Sequence, residues 1–139
     1  MRALDLTHLL EQAQRRVSRE LDKTLAEIGA SGEQWRVLER LADEVGQPIG
    51  ELAALVNMNP PTMTKLIDRM VAGGLVQRIA DAQDNRRVLV FITDTGLQLA
   101  EKLSARADAF HENLFEKLNK GETAKLSRWL RHLADAQQR

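Results

Sequence analysis

Three residues, Asn57, Met58 and Asn59, separate two apolar-faced segments and run straight into Pro60 and Pro61. No regular element continues through such a run. Proline lacks an N–H and clashes with the turn before it, Asn57 tolerates the left-handed conformation of a tight corner, and Asn59 is a favourable N-cap with proline in the first helical position. One helix must end and another begin there. Upstream, Leu52, Leu55 and Val56 give the short first helix an inward face. Downstream, Pro61 to Ala72 predicts a two-faced helix, with Met63, Leu66, Ile67 and Met70 on one side and Thr62, Lys65, Asp68 and Arg69 on the other. The residue before a proline avoids helical angles, so this helix is expected to begin within a residue or two of Pro61. Gly73 and Gly74 stop it.

The flanks are helical too. Leu6, Leu10, Ala13, Val17, Leu21, Leu25 and Ile28 recur at helical spacing and predict a first helix from Leu4 to Ile28, closed by Gly29. Ser31 and Gln34 form a capping-box pattern for a second, with Trp35, Leu38, Leu41 and Ala42 as its stripe, ending before Gly46 and Pro48. Leu75 to Ala80 and Val88 to Ile92 are the strand-like runs, joined by a polar tip from Asp81 to Arg87. A two-stranded hairpin is unstable alone, so it must pack on the helices. Thr93 or Asp94 caps a long helix to about Leu118, Gly121 breaks it, and Leu126, Trp129, Leu130 and Leu133 mark a last one. The expected fold is mostly α with a small β-hairpin.

With 139 residues, the chain is read as a single domain. Twenty basic residues balance twenty acidic ones, so any basic surface is local. There is no cysteine, which excludes a disulfide framework, a zinc finger and a thiol sensor. No run is apolar and long enough for a membrane span and the N-terminus is not a signal peptide, so a cytoplasmic protein is expected. His8, His111 and His132 lack metal spacing. Neither a Ser-His-Asp pattern nor a Gly-rich phosphate loop is present. No enzyme activity, cofactor or metal is expected. The terminal helices carry apolar stripes outside the central lobe. A monomer would expose Leu4, Leu6, Leu9, Leu10, Phe110, Phe115, Leu126, Trp129 and Leu133, a larger patch than soluble monomers tolerate, so a homodimer is expected.

A short helix, a three-residue turn and a two-faced helix make a helix-turn-helix, and the hairpin after it has the chemistry of a wing. Thr62, Thr64, Lys65 and Arg69 can meet phosphates and base edges. Arg78, Arg86 and Arg87 lie on or beside the wing tip, where an arginine can enter a narrow minor groove, and Asp84 is placed to orient Arg86 by a charge-assisted hydrogen bond. Between Pro60 and Ile92, five cations (Lys65, Arg69, Arg78, Arg86, Arg87) face three anions (Asp68, Asp81, Asp84). The partner so indicated is double-stranded DNA. The alternative is a winged-helix protein-interaction module, which would not need the basic wing.

Two stretches, I-G-E-L-A-A-L-V-N-M-N-P-P-T-M-T-K-L-I-D-R-M-V-A-G-G-L-V-Q-R from Ile49 to Arg78 and R-I-A-D-A-Q-D-N-R-R-V-L-V-F-I-T-D-T-G from Arg78 to Gly96, resemble the MarR family of bacterial regulators, and the order of elements does so across essentially the whole chain. The resemblance implies a winged helix-turn-helix lobe over residues 30–96 and helical dimerisation regions over 1–29 and 97–139. It implies that Arg86 enters the minor groove braced by Asp84, with Arg78 close by, and that Thr62, Thr64, Lys65 and Arg69 contact DNA from the recognition helix. It implies a dimeric repressor on a pseudo-palindrome, commonly released by a small aromatic or phenolic ligand, here assigned to His8, Arg15, Arg16 and Trp35. The chain departs from the family pattern at Asn57, where glycine is usual, and at Pro61, where a small polar residue often sits.

Overall fold

The helical periodicities are realised in the computed structural model, which describes residues 2–136. The order is α1 (Ala3–Ala26), α2 (Gly32–Leu41), β1 (Gln47–Pro48), α3 (Ile49–Leu55), α4 (Pro60–Ala72), β2 (Val76–Ala80), β3 (Val88–Ile92), α5 (Asp94–Phe115) and α6 (Lys120–Ala136). Gly29, at φ +87°, closes α1. The capping box forms as its pattern predicts: Ser31 Oγ accepts from the Gln34 N–H at 3.1 Å, and Gln34 Oε1 accepts from the Ser31 N–H at 2.9 Å. Asp22 of α1 accepts the Gly32 N–H at 2.7 Å and ties the two helices together.

The hairpin is part of a three-stranded antiparallel sheet of order β1-β3-β2. Val76 pairs with Ile92 through to Ala80 with Val88, and Gln47 and Pro48 pair with Val90 and Leu89. The sequence does not announce β1, because two residues are too few to display a period of two. The chain turns into it through Glu44, at φ +64°.

The core runs continuously from α1 to α5. Leu25, Leu38, Leu41, Leu52, Met63, Ile67, Met70, Val90 and Leu103 are fully buried in it. The inward side of the sheet, Val76, Val90 and Ile92, closes it beneath α2 and α4.

One boundary falls within its expected range and two correct the expectations. α4 begins at Pro60, with both prolines in its first turn, because neither missing N–H has a helical partner to lose there. α5 ends at Phe115, short of Leu118. Gly121 lies inside α6 and does not break a helix; the cap is Asn119, whose Oδ1 accepts the Glu122 N–H at 2.7 Å. Phe110 and Phe115 are half-buried, contrary to the expected exposed patch, since both rings flank His111. Leu6, Leu9, Leu10, Leu126, Trp129 and Leu133 are exposed as anticipated. The Leu4 side chain lies outside the described residues.

Candidate nucleic-acid interface

The corner between α3 and α4 follows from its sequence. Asn57 takes φ +55°, and the Met58 N–H donates to the Ala53 carbonyl at 2.9 Å, folding the turn back on α3. Asn59 Oδ1 accepts the Thr62 N–H at 2.9 Å and caps α4. Met63, Leu66, Ile67 and Met70 are buried, and Thr62, Thr64, Lys65, Asp68 and Arg69 are exposed on the other side. Thr64 Oγ1 donates to the Pro60 carbonyl at 3.0 Å, which leaves its lone pairs outward as acceptors.

The wing tip is held by its own backbone. The Asp81 N–H donates to the Arg87 carbonyl at 3.0 Å and the Arg87 N–H to the Asp84 carbonyl at 2.9 Å. Asp84 does act on Arg86, but not through the guanidinium: its Oδ1 accepts the Arg86 backbone N–H at 3.1 Å. This is an Asx-type turn bond. It fixes where residue 86 leaves the tip and leaves the side chain at liberty.

Arg78 stands apart from that brace. It forms an ion pair with Asp68 of the recognition helix, joining β2 to α4. Arg87 pairs with Glu51 of α3 at 3.4 Å, joining the tip of the wing to the first helix of the motif. The acidic partners, Asp68 and Glu51, are ten and thirty-six residues from their arginines, so no local spacing could have revealed them. Among the described residues, Lys65, Arg69 and Arg86 form no ion pair. All three are exposed on the elements expected to meet a groove. Two arginines thus hold the wing against the helices, and three cations remain for an outside anion.

His8, Arg15, Arg16 and Trp35 are not brought together within one chain. Arg15 and Arg16 line a shallow depression along α1, which His8 does not reach. Trp35 lines another, with Arg36, Arg40 and Asn57. Its indole N–H donates to Ser104 Oγ of α5 at 3.2 Å, and its ring lies 6.4 Å from that of His111. This ring cluster of Trp35 with His111, Phe110 and Phe115 is not legible in the sequence, because Trp35 of α2 meets the rings of α5 only once the helices pack. No group of acidic or histidine side chains placed to hold a metal occurs among the described residues, and no described helix is long and apolar enough to cross a membrane.

Comparison with known proteins gives these features a context. Residues 31–88, the span from the α2 cap into β3, match the model of the MarR family. The solved structure of the MarR family transcriptional regulator SPO1453 from Silicibacter pomeroyi is 36% identical, covers 94% of this chain and 93% of its own, and superposes with a TM-score of 0.80. A mutant MarR from E. coli, solved in complex with operator DNA, is 25% identical over 93% of each chain, with a TM-score of 0.86. BpsR of Bordetella bronchiseptica, whose structure concerns regulation of DNA binding by 6-hydroxynicotinic acid, is 26% identical over 93% of this chain and 92% of its own, with a TM-score of 0.86. The shared helix-turn-helix, the shared wing and similarity along nearly the full length of these structures lead to one conclusion: the chain belongs to the MarR family of transcriptional regulators.

Proposed function

We propose that the protein is a sequence-specific transcriptional repressor that binds a pseudo-palindromic operator as a homodimer. The observation that carries the reading is the division of labour among its cations: Arg78 and Arg87 are paired at the surface with Asp68 and Glu51, while Lys65, Arg69 and Arg86 are exposed on α4 and the wing without an ion-pair partner among the described residues. With Thr62 and Thr64, the first two address the major groove, and Arg86 the minor groove. A two-fold dimer through the terminal helices sets two such lobes roughly 34–36 Å apart, one turn of DNA, and a dimer lying there denies the same DNA to polymerase. The similar E. coli MarR in complex with operator DNA supports this use of the fold. In this reading residues 30–96 form the DNA-binding lobe, residues 1–29 and 97–139 form the dimerisation region, and the protein is cytoplasmic and is not an enzyme.

Release by a small aromatic or phenolic acid is part of the proposal, supported by the regulation of DNA binding in the similar BpsR by 6-hydroxynicotinic acid. His8, Arg15, Arg16 and Trp35 are assigned to that ligand, with cations of α1 facing the aromatic ring of α2. Such a ligand acts by binding one lobe spacing better than the other, a coupling typically ~1–3 kcal/mol.

Selection of sites from random duplex DNA, followed by anisotropy across a salt series, tests the core of the reading. A two-fold-symmetric site is expected, with log affinity falling by about 0.9 per neutralised phosphate for each decade of salt. Absence of any enriched site with folded, dimeric protein would instead support an interaction module. On the recovered site, Arg86→Ala is expected to weaken binding by ~1–3 kcal/mol at matched salt. Unchanged affinity would remove Arg86 from the interface.

A further inference from the structure

The chain has four methionines, and apart from Met1 they stand at Met58, Met63 and Met70. Met58 lies on the turn before α4, while Met63 and Met70 lie on the inward face of that helix at 0% exposure. We propose that these methionines form an oxidation-sensitive seat for the recognition helix, with Met58 as its modification site. The inference rests on α4 being the helix that reads DNA.

Met58 is the member an oxidant can reach. It is half-buried and packed on the edge of the core, whereas the two sulfurs beneath α4 are sealed. With no cysteine in the chain, the soft, polarisable thioethers are the natural targets of a two-electron oxidant of the hypohalous acid class. In the net step, the Met58 sulfur gains one oxygen and gives up an electron pair. The O–Cl bond of hypochlorous acid breaks, and chloride and a proton leave.

The product is a polar, chiral sulfoxide in place of a flexible apolar side chain. Keeping it against the core without a hydrogen-bond donor is unfavourable, so the side chain withdraws. It cannot withdraw alone, because both neighbours set the entry of α4: Asn57 occupies the left-handed corner at φ +55°, and Asn59 caps the helix through the Thr62 N–H. Displacing residue 58 therefore tilts the recognition helix and opens Met63 and Met70 to the same reaction. A methionine sulfoxide reductase reverses the change. Leucine would pack this site as well as methionine does, which makes the sulfur's chemistry separable from its bulk.

The test treats the full chain with about one equivalent of hypochlorous acid, maps oxygen uptake by peptide mass spectrometry, and titrates the protein on its selected operator. Uptake is expected at Met58 first, with operator affinity falling about tenfold, the scale of about 1.4 kcal/mol, and returning after sulfoxide reductase. Met58→Leu should bind the operator normally before treatment and keep its affinity afterwards. Oxygen at Met58 without loss of affinity, a Met58 that stays unmodified while Met63 or Met70 reacts, or a Met58→Leu variant that loses affinity as the wild type does would each overturn the proposal. If untreated wild-type protein selects no operator, the DNA-binding reading fails, which the peptide map of Met58 keeps distinct from a failure of the oxidation step.

Discussion

Gly96→Ala is expected to destabilise the protein by about 3 kcal/mol, the upper range for forcing an extra methyl into a packed site. Gly96 is in the first turn of α5, where its N–H donates to Thr93 Oγ1 at 3.0 Å. A Cβ there would lie 2.2 Å from the Leu75 carbonyl oxygen and 2.8 Å from Ile92 Cγ1. The nearer atom is backbone, and it already accepts the Thr93 N–H at 3.0 Å. Relief therefore requires parting α5 from the base of the wing, not turning a side chain aside. Gly73→Ala is the internal comparison, since its nearest neighbour would be at 3.5 Å, ordinary contact. Urea unfolding checks both: a lower midpoint at an unchanged slope for Gly96→Ala, and little change for Gly73→Ala. Equal midpoints for Gly96→Ala and wild type would mean that the junction yields more readily than its contacts indicate.

The second large effect concerns assembly. α6 buries no residue within its own chain, and Leu126, Trp129, Leu130 and Leu133 are exposed along it, Trp129 at 57%. Leu6, Leu9 and Leu10 are exposed on α1. On the proposed dimeric reading, the double substitution Leu130→Asp with Leu133→Asp is expected to give folded monomers by sedimentation and to lower operator affinity by about 100-fold or more, because the second half-site is no longer engaged at high effective concentration. The wing and recognition helix are untouched by these changes. A variant that stays dimeric would assign the α6 stripe to some other contact, and a monomer with full affinity would show that one lobe suffices.

How much could be read in advance depended on the range of the cause. Ser31, Asn57 and Asn59 act on backbone within a few residues, and each does what its type and position implied. The buried sides of α2 and α4 follow from helical periodicity in the same way. Pairings across the fold were not legible: Arg78 with Asp68 and Arg87 with Glu51 exist only once the wing is laid against the helices. The spacing suggests Asp84 as partner to the Arg86 guanidinium, yet the shorter route to the backbone N–H wins, as it commonly does for aspartate in turns. The short β1 and the Asn119 cap failed for a related reason. A two-residue strand carries no pattern, and Gly121 is accommodated within the first turn of α6 behind the Asn119 cap.

The two ion pairs that clamp the wing bear on what an operator can vary. Because β2 is bound to α4 and the tip to α3, the wing and recognition helix form one gauge. On the proposed reading, the distance between the bases touched in the major groove and the step entered by Arg86 is built into each lobe, while the distance between lobes belongs to the terminal helices. Operators should therefore be less tolerant of a base pair inserted within a half-site than of one inserted between half-sites. Adaptation to different spacings, and any signal that changes spacing, is left to the gap between half-sites.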